Sequence, residues 1–269
     1  TFWSGTFVDD PEDEAHVDTL RQWCADLCCV RLHPARAKVS SLTGLLLGHP
    51  LTLRYYRSGA LQDWVDRALA SHDFQAAVVF SSSMAQYVDE RPGLRVLADL
   101  VDVDSAKWTQ YADEHRWPMS WLYRREGRTL LAYERHVARF ADRSFFVTDQ
   151  ETRLFTSLAP DCQQRVESMC NGVDADFFSP DEHRPSPFGA DELPVVFTGA
   201  MDYWPNVDAV RWFVRDMLPA LRQQWPRLRF HIVGRSPTPA VRELGGPDVN
   251  VTGTVPDVRP YLQHAAAVV

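Results

Sequence analysis

The 269-residue sequence has no apolar run longer than a β-strand, no paired-cysteine metal motif and no excess of positive charge. A transmembrane helix needs about 20 consecutive apolar residues, so we expect no membrane-spanning segment. A formal net charge of -8 argues against a dedicated nucleic-acid-binding protein, because phosphate backbones attract basic surfaces. These absences favour a soluble globular protein, whose 45% hydrophobic content is sufficient for one large core or two ordinary ones.

Metal-binding and disulfide patterns are also missing. The five cysteines form no CxxC pair and no spacing typical of zinc sites. The nine histidines show no ligand spacing on a credible helix, so we predict no metal site. We interpret the cysteines as reduced, mostly buried thiols of a cytoplasmic protein.

What the sequence does contain, from residue 1 to about residue 172, is an alternation of strand-like and helical segments. The predicted strands lie at residues 2–7, 28–32, 76–81, 95–101, 144–148 and 166–170. The longest helical segment runs from about Met119 to Arg139, and Thr148 or Asp149 is predicted to cap the helix that follows it. Repeated alternation of this kind predicts a doubly wound parallel sheet.

A proline-rich polar stretch at residues 173–190 has linker composition, and the alternation resumes after it. We therefore predict an N-terminal domain at residues 1–172 and a C-terminal domain at residues 191–269. The chain opens in one strand-like run and closes in another. We expect from this that the sequence is an internal piece of a longer protein, with the first strand of the N-terminal domain missing and the C-terminal domain partial.

The C-terminal domain begins with two successive strand and loop units. The unbroken apolar run at residues 195–197 stops at Gly199, and Asn206 is a suitable N-cap for a helix predicted to continue to Trp225. A second apolar run, at residues 230–233, ends at Gly234. In such units ligands bind at the carboxyl ends of the strands, so we expect a binding site in these loops.

Four segments occur in a fixed order across the predicted domain boundary. They are Asn-Gly-Val-Asp-x-x-x-Phe at 171–178, Phe-Thr-Gly-x-Met-Asp-Tyr-x-Pro-Asn at 197–206, Ile-Val-Gly at 232–234 and Gly-Thr-Val-Pro-Asp-Val-Arg-Pro-Tyr at 253–261. Together they resemble glycosyltransferase family 4, whose members are retaining enzymes of the GT-B fold. Segments at 99–108, 123–128 and 133–135 are similar to the sugar transferases of exosortase (PEP-CTERM) exopolysaccharide systems.

The resemblance covers nearly the whole chain and implies an α/β protein with two Rossmann-like parallel-sheet domains facing a cleft, the second of them incomplete. It implies that the second domain binds a nucleotide-diphosphate sugar and the first a glycan or lipid-linked acceptor. The reaction would be retaining sugar transfer in exopolysaccharide or cell-surface glycan biosynthesis, with no cofactor and no metal. A lipid-linked acceptor is compatible with peripheral association at the inner face of the membrane.

The resemblance also implies a set of donor-binding residues. Gly199 would face the diphosphate, Gly234 and Arg235 would border the nucleoside, and the nucleobase would contact the last three members of the set. The set is Gly199, Asn206, Gly234, Arg235, Thr254, Val255 and Asp257. Many family members carry an arginine where this chain has Ala200 and a lysine near Asn206, so Arg235 or residues beyond 269 would have to neutralise the diphosphate.

In the first domain, many relatives place a histidine or aspartate after a central strand. The corresponding residue here is Asp102, with Asp104 beside it, and we predict that this pair orients the acceptor or stabilises positive charge developing on the sugar ring. The two aspartates also match the Asp-x-Asp pattern that binds a metal in the other major glycosyltransferase fold. Carboxylates at strand ends more often face solvent or cap the next helix, so we do not predict a metal there.

Other interpretations stay open. The missing arginine and lysine favour, as the alternative, a non-catalytic GT-B-like protein that binds a nucleotide or a partner. A nicotinamide-dependent dehydrogenase is disfavoured because no GxGxxG follows a predicted strand. The arginine-rich run at 124–128 is more typical of a solvated helix face than of a membrane or acceptor patch. Trp108, Trp117 and Trp121 are more simply explained as buried aromatics than as sugar-stacking groups.

Overall fold

Parallel strands joined by helices make up both parts of the chain. The computed structural model describes residues 2–10, 13–89 and 91–269. Contacts divide these residues into a first unit that ends at Asn171 and a second that begins at Gly172. Every strand pair in the described residues is parallel. None of the helices in these ranges is long and apolar enough to cross a bilayer.

The described residues of the first unit form six strands in two sheets. One sheet pairs β1 with β2, and the other has the order β3-β4-β5-β6. The strands are β1 (Trp3–Val8), β2 (Asp26–Arg31), β3 (Ala76–Phe80), β4 (Arg95–Val101), β5 (Arg143–Phe146) and β6 (Val166–Ser168). The predicted parallel pairing is confirmed for this unit, although it is divided between two sheets. β3 is an edge strand, on which Val78 and Phe80 are exposed.

Eight α-helices connect these strands in the part of the unit that the structure describes. They are α1 (Val17–Trp23), α2 (Pro34–Ser41), α3 (Thr43–Leu47), α4 (Leu51–Tyr55), α5 (Gly59–Ser71), α6 (Asp104–Glu114), α7 (Met119–Phe140) and α8 (Asp149–Leu158). Short 3-10 turns lie at Asp13–His16, Ser82–Tyr87 and Pro160–Arg165. Helix α8 begins as predicted, because the Thr148 hydroxyl accepts a hydrogen bond from the Glu151 N–H (3.1 Å).

The core of the first unit lies between the four-stranded sheet and helices α7 and α8. The inward positions of β4 alternate with partly exposed ones, and α7 buries a stripe at three- and four-residue spacing that includes Leu130 and Val137. Phe146 of β5 packs against Phe155 of α8 with ring centroids 4.8 Å apart. This packing fixes the carboxyl end of β4 against the helices that follow it.

The second unit has one four-stranded sheet, in the order β10-β7-β8-β9. Its strands are β7 (Leu193–Thr198), β8 (Leu228–Val233), β9 (Val249–Gly253) and β10 (Ala267–Val268). Its helices are α9 (Trp204–Trp212), α10 (Leu218–Gln224), α11 (Pro239–Arg242) and α12 (Arg259–His264). Phe213 stacks on Phe230 at 4.3 Å in its core.

The single helix predicted to end near Trp225 is interrupted. A wide π turn at Phe213–Met217 separates α9 from α10, and the Leu218 N–H donates to the carbonyl of Phe213, five residues back. Pro219 follows directly and has no N–H to continue the ordinary ladder. The wide turn accommodates this missing donor while the apolar side chains keep their inward direction.

Candidate functional site

Hydrogen bonds join the loops at the carboxyl ends of β7, β8 and β9. The Gly199 N–H donates to the carbonyl of Val233 (3.1 Å), and the Met201 N–H donates to that of Arg235 (2.8 Å). The Gly234 N–H donates to the carbonyl of Gly253 (3.2 Å). The structure thus brings the predicted residues Gly199, Gly234 and Arg235 together at the edge of the sheet where parallel α/β proteins bind ligands.

Contacts within this edge restrict both glycines, Gly234 more strictly than Gly199. A Cβ on Gly234 would lie 1.7 Å from the carbonyl oxygen of Gly199, which leaves no room for a side chain. A Cβ on Gly199 would lie 2.6 Å from Nδ2 of Asn206. The glycines therefore allow two loops to touch each other, whatever ligand those loops hold.

Asn206 does not cap helix α9, so this prediction is wrong. The helix begins two residues earlier, at Trp204, with Pro205 in its first turn, where a missing N–H costs nothing. The side chain of Asn206 instead donates from Nδ2 to the carbonyl of Ala200 (3.0 Å). Its amide holds the loop after β7 in place, and the helix that starts there directs its positive end towards this loop.

Arg235 is exposed, and its guanidinium forms no ion pair with any residue that the structure describes. Asp257 differs: both of its carboxylate oxygens accept from the guanidinium of Arg259, at 2.8–3.1 Å. The hydrogen bonds from Arg259 lower the pKa of Asp257. The Asp257 side chain is thus committed to Arg259, which also lies 4.0 Å over the ring of Phe177.

A cavity of about 690 Å³ lies along β9. Its lining includes two arginines, Arg229 and Arg242, and the polar residues Asn250, Thr252 and Thr254. Thr254 is the predicted donor residue that lines it; Val255 and Asp257 follow in the next loop. Arg229 is paired with Glu192 (2.7 Å). Of the two arginines in the lining, Arg242 therefore has the positive charge that is more available to a ligand.

The carboxyl end of β4 carries the two predicted catalytic aspartates of the first unit. Lys107 Nζ lies 2.7 Å from Asp102 Oδ2 and 3.2 Å from Asp104 Oδ1. Burial raises the pKa of Asp104, and Lys107 opposes that effect. Burial alone would lower the pKa of Lys107. The interactions of Lys107 with Asp102 and Asp104 have the larger effect, so the pKa of Lys107 is raised. One ammonium group thus serves two carboxylates, in the position that a bound cation would take.

The backbone at this point is strained. Val101, the last residue of β4, has a φ of 65°, which is a genuine outlier for a β-branched side chain. Ser81, which follows the neighbouring β3, also has a positive φ of 70°. Strain of this kind costs on the order of 1–3 kcal/mol and concentrates at functional sites. It therefore supports, independently of any motif, a role for the loop that begins at Asp102.

Two further carboxylates surround this loop. Glu134 of α7 is buried and accepts from the backbone N–H (3.1 Å) and the hydroxyl (2.5 Å) of Ser105. Burial raises the pKa of Glu134 to about 8. Glu151 Oε2 accepts from the Val103 N–H at 2.7 Å. Glu134 and Glu151 hold the first turn of α6 and the residue before it.

Sequence reasoning missed Lys107, Glu134 and Glu151. One local signal could have indicated the ion pair between Lys107 and Asp104. Residues three apart on a helix are neighbours on its surface, and Asp104 and Lys107 have this spacing. Glu134 and Glu151 reach the loop from α7 and α8, at separations of 29 and 48 residues from their partners, which no local pattern encodes. Within the described ranges, no group of three or more His, Cys, Asp or Glu side chains is arranged to hold a metal ion.

The tryptophans and arginines around the start of α7 depart from expectation. Trp108 packs against Tyr123 with ring centroids 5.4 Å apart, but Trp117 and Trp121 are exposed. Arg125 is buried, whereas Arg124 and Arg128 of the same run face solvent. The prediction of buried aromatics is wrong for two of the three tryptophans, and the run at 124–128 is not a simple solvated face.

Comparison with known proteins identifies the class of fold. Residues 192–269 match the family model of glycosyl transferases group 1. No curated protein sequence matches the chain. The N-terminal domain of trehalose-6-phosphate phosphatase from Candida albicans is similar in fold, with a TM-score of 0.53 at 12% identity over 99% of this chain and 68% of that one.

Two further solved structures share the fold. The alpha,alpha-trehalose-phosphate synthase (UDP-forming) of Burkholderia vietnamiensis has a TM-score of 0.50 at 11% identity, over 98% of this chain and 76% of that one. The catalytic domain of starch synthase IV from Arabidopsis thaliana, bound there to ADP and acarbose, has a TM-score of 0.51 at 11% identity, over 81% and 56%. The predicted GT-B-like class of Rossmann-like parallel sheets is confirmed, and the resemblance to glycosyltransferases is supported by the match at residues 192–269.

Replacing Gly234 by alanine tests the contact between the two loops. We expect Gly234→Ala to lower the free energy of unfolding by about 2–3 kcal/mol, because its Cβ meets a hydrogen-bonded backbone that cannot move aside. Gly246→Ala is the matched control, since a Cβ there meets nothing within 4 Å. Urea unfolding of both variants measures the difference. Equal stability of the two would contradict the assigned contact.

The buried carboxyl of Glu134 predicts a pH dependence of stability. Its pKa is about 8 in the folded protein against an ordinary 4.5, so its contribution is fully present below about pH 4.5 and is lost as the pH rises through 8. Glu134→Gln keeps one oxygen that can accept from the Ser105 N–H, places an amide that can donate to the Ser105 hydroxyl, and cannot ionise. We expect the stability of the unmodified protein to fall, relative to this variant, by on the order of 2–4 kcal/mol between about pH 5 and about pH 8.

Chemical denaturation at a series of pH values measures that difference. Glu114→Gln, at an exposed position of α6, is the control and should keep the pH dependence of the unmodified protein. Parallel curves for Glu134→Gln and the unmodified protein would show that Glu134 is ionised in the folded state.

Proposed function

We propose that the protein is a retaining glycosyltransferase that transfers a hexose from a nucleotide-diphosphate donor to a saccharide or lipid-linked acceptor. The observation that carries this proposal is the match of residues 192–269 to glycosyl transferases group 1, on the segment whose loops meet at the carboxyl edge of the sheet. Two relatives in fold are described as UDP-forming and as bound to ADP, which supports a nucleoside diphosphate as the product released. The exosortase-type motifs at 99–108 and 123–128 favour a place in exopolysaccharide assembly at the inner face of the membrane.

In this proposal the loops after β7 and β8 hold the donor. Gly199 and Gly234 carry no side chain and so let the phosphates approach the loops, Asn206 holds the loop shape, and the start of α9 adds a partial positive charge. Ala200 stands where many glycosyltransferases of this family carry an arginine. The unpaired guanidinium of Arg235 is therefore our choice for the group that stabilises the departing diphosphate.

The loop after β4 would act on the acceptor. Asp102, held in an ion pair with Lys107, presents a carboxylate whose second oxygen can accept a hydrogen bond from an acceptor hydroxyl. Glu134, which is buried, and Asp104, which is partly buried, fix the orientation of this loop rather than contact the sugar. The acceptor hydroxyl would attack from the same face that the nucleotide leaves, so this proposal assigns no nucleophile to the protein.

A non-catalytic nucleotide-binding protein is the second candidate. Two observations favour it: Lys107 already neutralises both predicted catalytic carboxylates, and Ala200 and Asn206 stand in place of two expected cations. The two candidates share the donor site and differ in turnover. They are therefore separated by one binding experiment and one activity experiment.

Calorimetric titration with UDP, GDP, ADP and their monophosphates tests the donor site. We expect saturable binding of one base, tighter for the diphosphate, and about tenfold weaker diphosphate binding in Arg235→Gln because a charge-assisted hydrogen bond is lost. Arg227→Gln is the control, since Arg227 lies just before β8, at the end of the strand opposite to Arg235. Equal loss in both variants, or no binding at all, would remove the donor assignment.

Replacement of Asp102 by asparagine tests turnover. We expect Asp102→Asn to slow release of nucleoside diphosphate from the preferred nucleotide sugar by about 100-fold, with nucleotide affinity unchanged. Asp63→Asn, an exposed position on α5, is the control for the loss of one negative charge. Turnover by the unmodified protein that is unaffected in Asp102→Asn would remove the catalytic role of Asp102. Absence of turnover in every variant despite nucleotide binding would favour the non-catalytic candidate.

A further inference from the structure

Positive charge is segregated in one part of the first unit. The chain as a whole has 36 acidic and 28 basic residues, yet residues 27–62 contain no aspartate or glutamate. The same stretch contains five basic residues, Arg31, Arg36, Lys38, Arg54 and Arg57. Arg31 is paired with Glu14, but the remaining four form no ion pair within the described ranges. Residues 27–62 are therefore a cationic segment of a protein whose net charge is negative.

Apolar side chains are exposed on the same stretch. Leu46 of α3 is 90% exposed, and it is accompanied by other exposed aliphatic residues of α2, α3 and the turn between them. These companions are Val39, Leu42 and Leu47. Single exposed leucines are ordinary in proteins, but four aliphatic side chains within nine residues, flanked by cations, form a patch that requires a partner.

Helix α7 extends this patch with aromatic residues. Trp117, just before the helix, is 80% exposed, and Trp121 in its first turn is 57% exposed. With Arg124, Arg125 and Arg128 they line a cavity of about 380 Å³. Tryptophan and arginine together are typical of surfaces that bind at the boundary between water and lipid.

Arg125 joins the two surfaces. Its Nη2 donates to the carbonyls of Gly44 (2.8 Å) and His49 (3.2 Å), at the two ends of α3. The neighbouring Glu126 accepts from the N–H groups of Leu51 (2.8 Å) and Thr52 (2.9 Å), at the start of α4. These bonds fasten α3 and α4 to α7 beside the tryptophan cavity, which places α3, with its exposed leucines, next to the first turns of α7.

The same arginine has an unused donor. Arg125 is 8% exposed and lines the cavity, yet its Nη1 makes no hydrogen bond to a residue that the structure describes. Glu126 Oε2 is 3.8 Å from this nitrogen and is already the acceptor for Leu51. A buried guanidinium nitrogen without an acceptor is costly, so the cavity is built for an anionic oxygen.

We propose that this surface, which we call the Arg125 face, binds the headgroup region of an anionic phospholipid bilayer. It comprises Val39, Leu42, Leu46, Leu47, Trp117, Trp121, Arg124, Arg125 and Arg128. The aliphatic groups and the tryptophans enter the interface, and a lipid phosphate accepts from Arg125 Nη1 in the cavity. Apolar insertion combined with cationic attraction supplies the two signals that stable membrane association requires.

Charge selects the bilayer over a second copy of the chain as the occupant. A symmetric dimer through the Arg125 face would bring its arginines against those of the other copy. Among the nearby carboxylates, Glu126 accepts hydrogen bonds from the N–H groups at the start of α4, and Asp113 is paired with Arg124 at 3.1 Å. Neither carboxylate is therefore available to neutralise the cations of a second copy. An anionic lipid surface complements both the charge and the exposed apolar groups.

Sedimentation with lipid vesicles tests the proposal. We expect binding to vesicles of equal parts phosphatidylglycerol and phosphatidylcholine, weaker binding as salt rises, and little binding to phosphatidylcholine alone. Leu46→Glu and Trp121→Ser should each weaken binding by about tenfold, because each removes an inserted apolar group. Both positions are exposed, so the variants should fold; circular dichroism checks this.

The matched control is Trp212→Ser, in which a tryptophan that is 52% exposed on the second unit is removed. It should bind vesicles as the unmodified protein does. Failure to bind phosphatidylglycerol vesicles, or equal weakening in Trp212→Ser, would overturn the proposal. So would a concentration-dependent dimer in sedimentation velocity that Leu46→Glu abolishes. Nucleotide titration uses no lipid, so this proposal and the proposed transferase activity succeed or fail separately.

Discussion

The close approach of two backbone segments, Gly234 against the carbonyl of Gly199, organises the second unit. Because no side chain fits between them, the loops after β7 and β8 form one continuous surface tied together by main-chain hydrogen bonds. Asn206 then fixes the loop from the helix side. In the proposed donor site, this fixed backbone would need no reordering when a diphosphate binds, which lowers the cost of binding.

The first unit uses the opposite strategy at the end of β4, where side chains hold the backbone. Val101 adopts a left-handed conformation that a valine does not choose by itself, and the turns that follow are held from outside. Glu151 accepts from Val103, and Glu134 accepts from Ser105. Glu134 is buried and Glu151 is partly buried, and both carboxylates fix a strained loop that presents Asp102 beside Lys107.

The strands and the fold class were predictable from sequence because each buried parallel strand is an apolar run of limited length. β4 was predicted to the residue, at 95–101, because Arg95 and Asp102 bound an apolar core. The wide turn at Phe213–Met217 was not predicted, because the helical spacing of apolar residues continues through it. Only Pro219 indicates that the helix is interrupted. The partners of the β4 loop were missed for another reason: Glu134 and Glu151 approach from separate helices, and their contacts depend on tertiary packing.

Net charge proved a poor guide to surface properties. A value of -8 describes the electrostatic field far from the protein, but within a Debye length of about 8 Å a surface is governed by the residues that line it. The stretch from 27 to 62 has no carboxylate, and its cations lie beside exposed leucines rather than beside acidic partners. In the proposed binding mode, the negative charge elsewhere on the protein would be repelled by an anionic bilayer, so the protein would approach it with the Arg125 face. A protein whose positive charge is concentrated on one face binds an anionic surface in one orientation. A uniformly basic protein has no such preferred orientation.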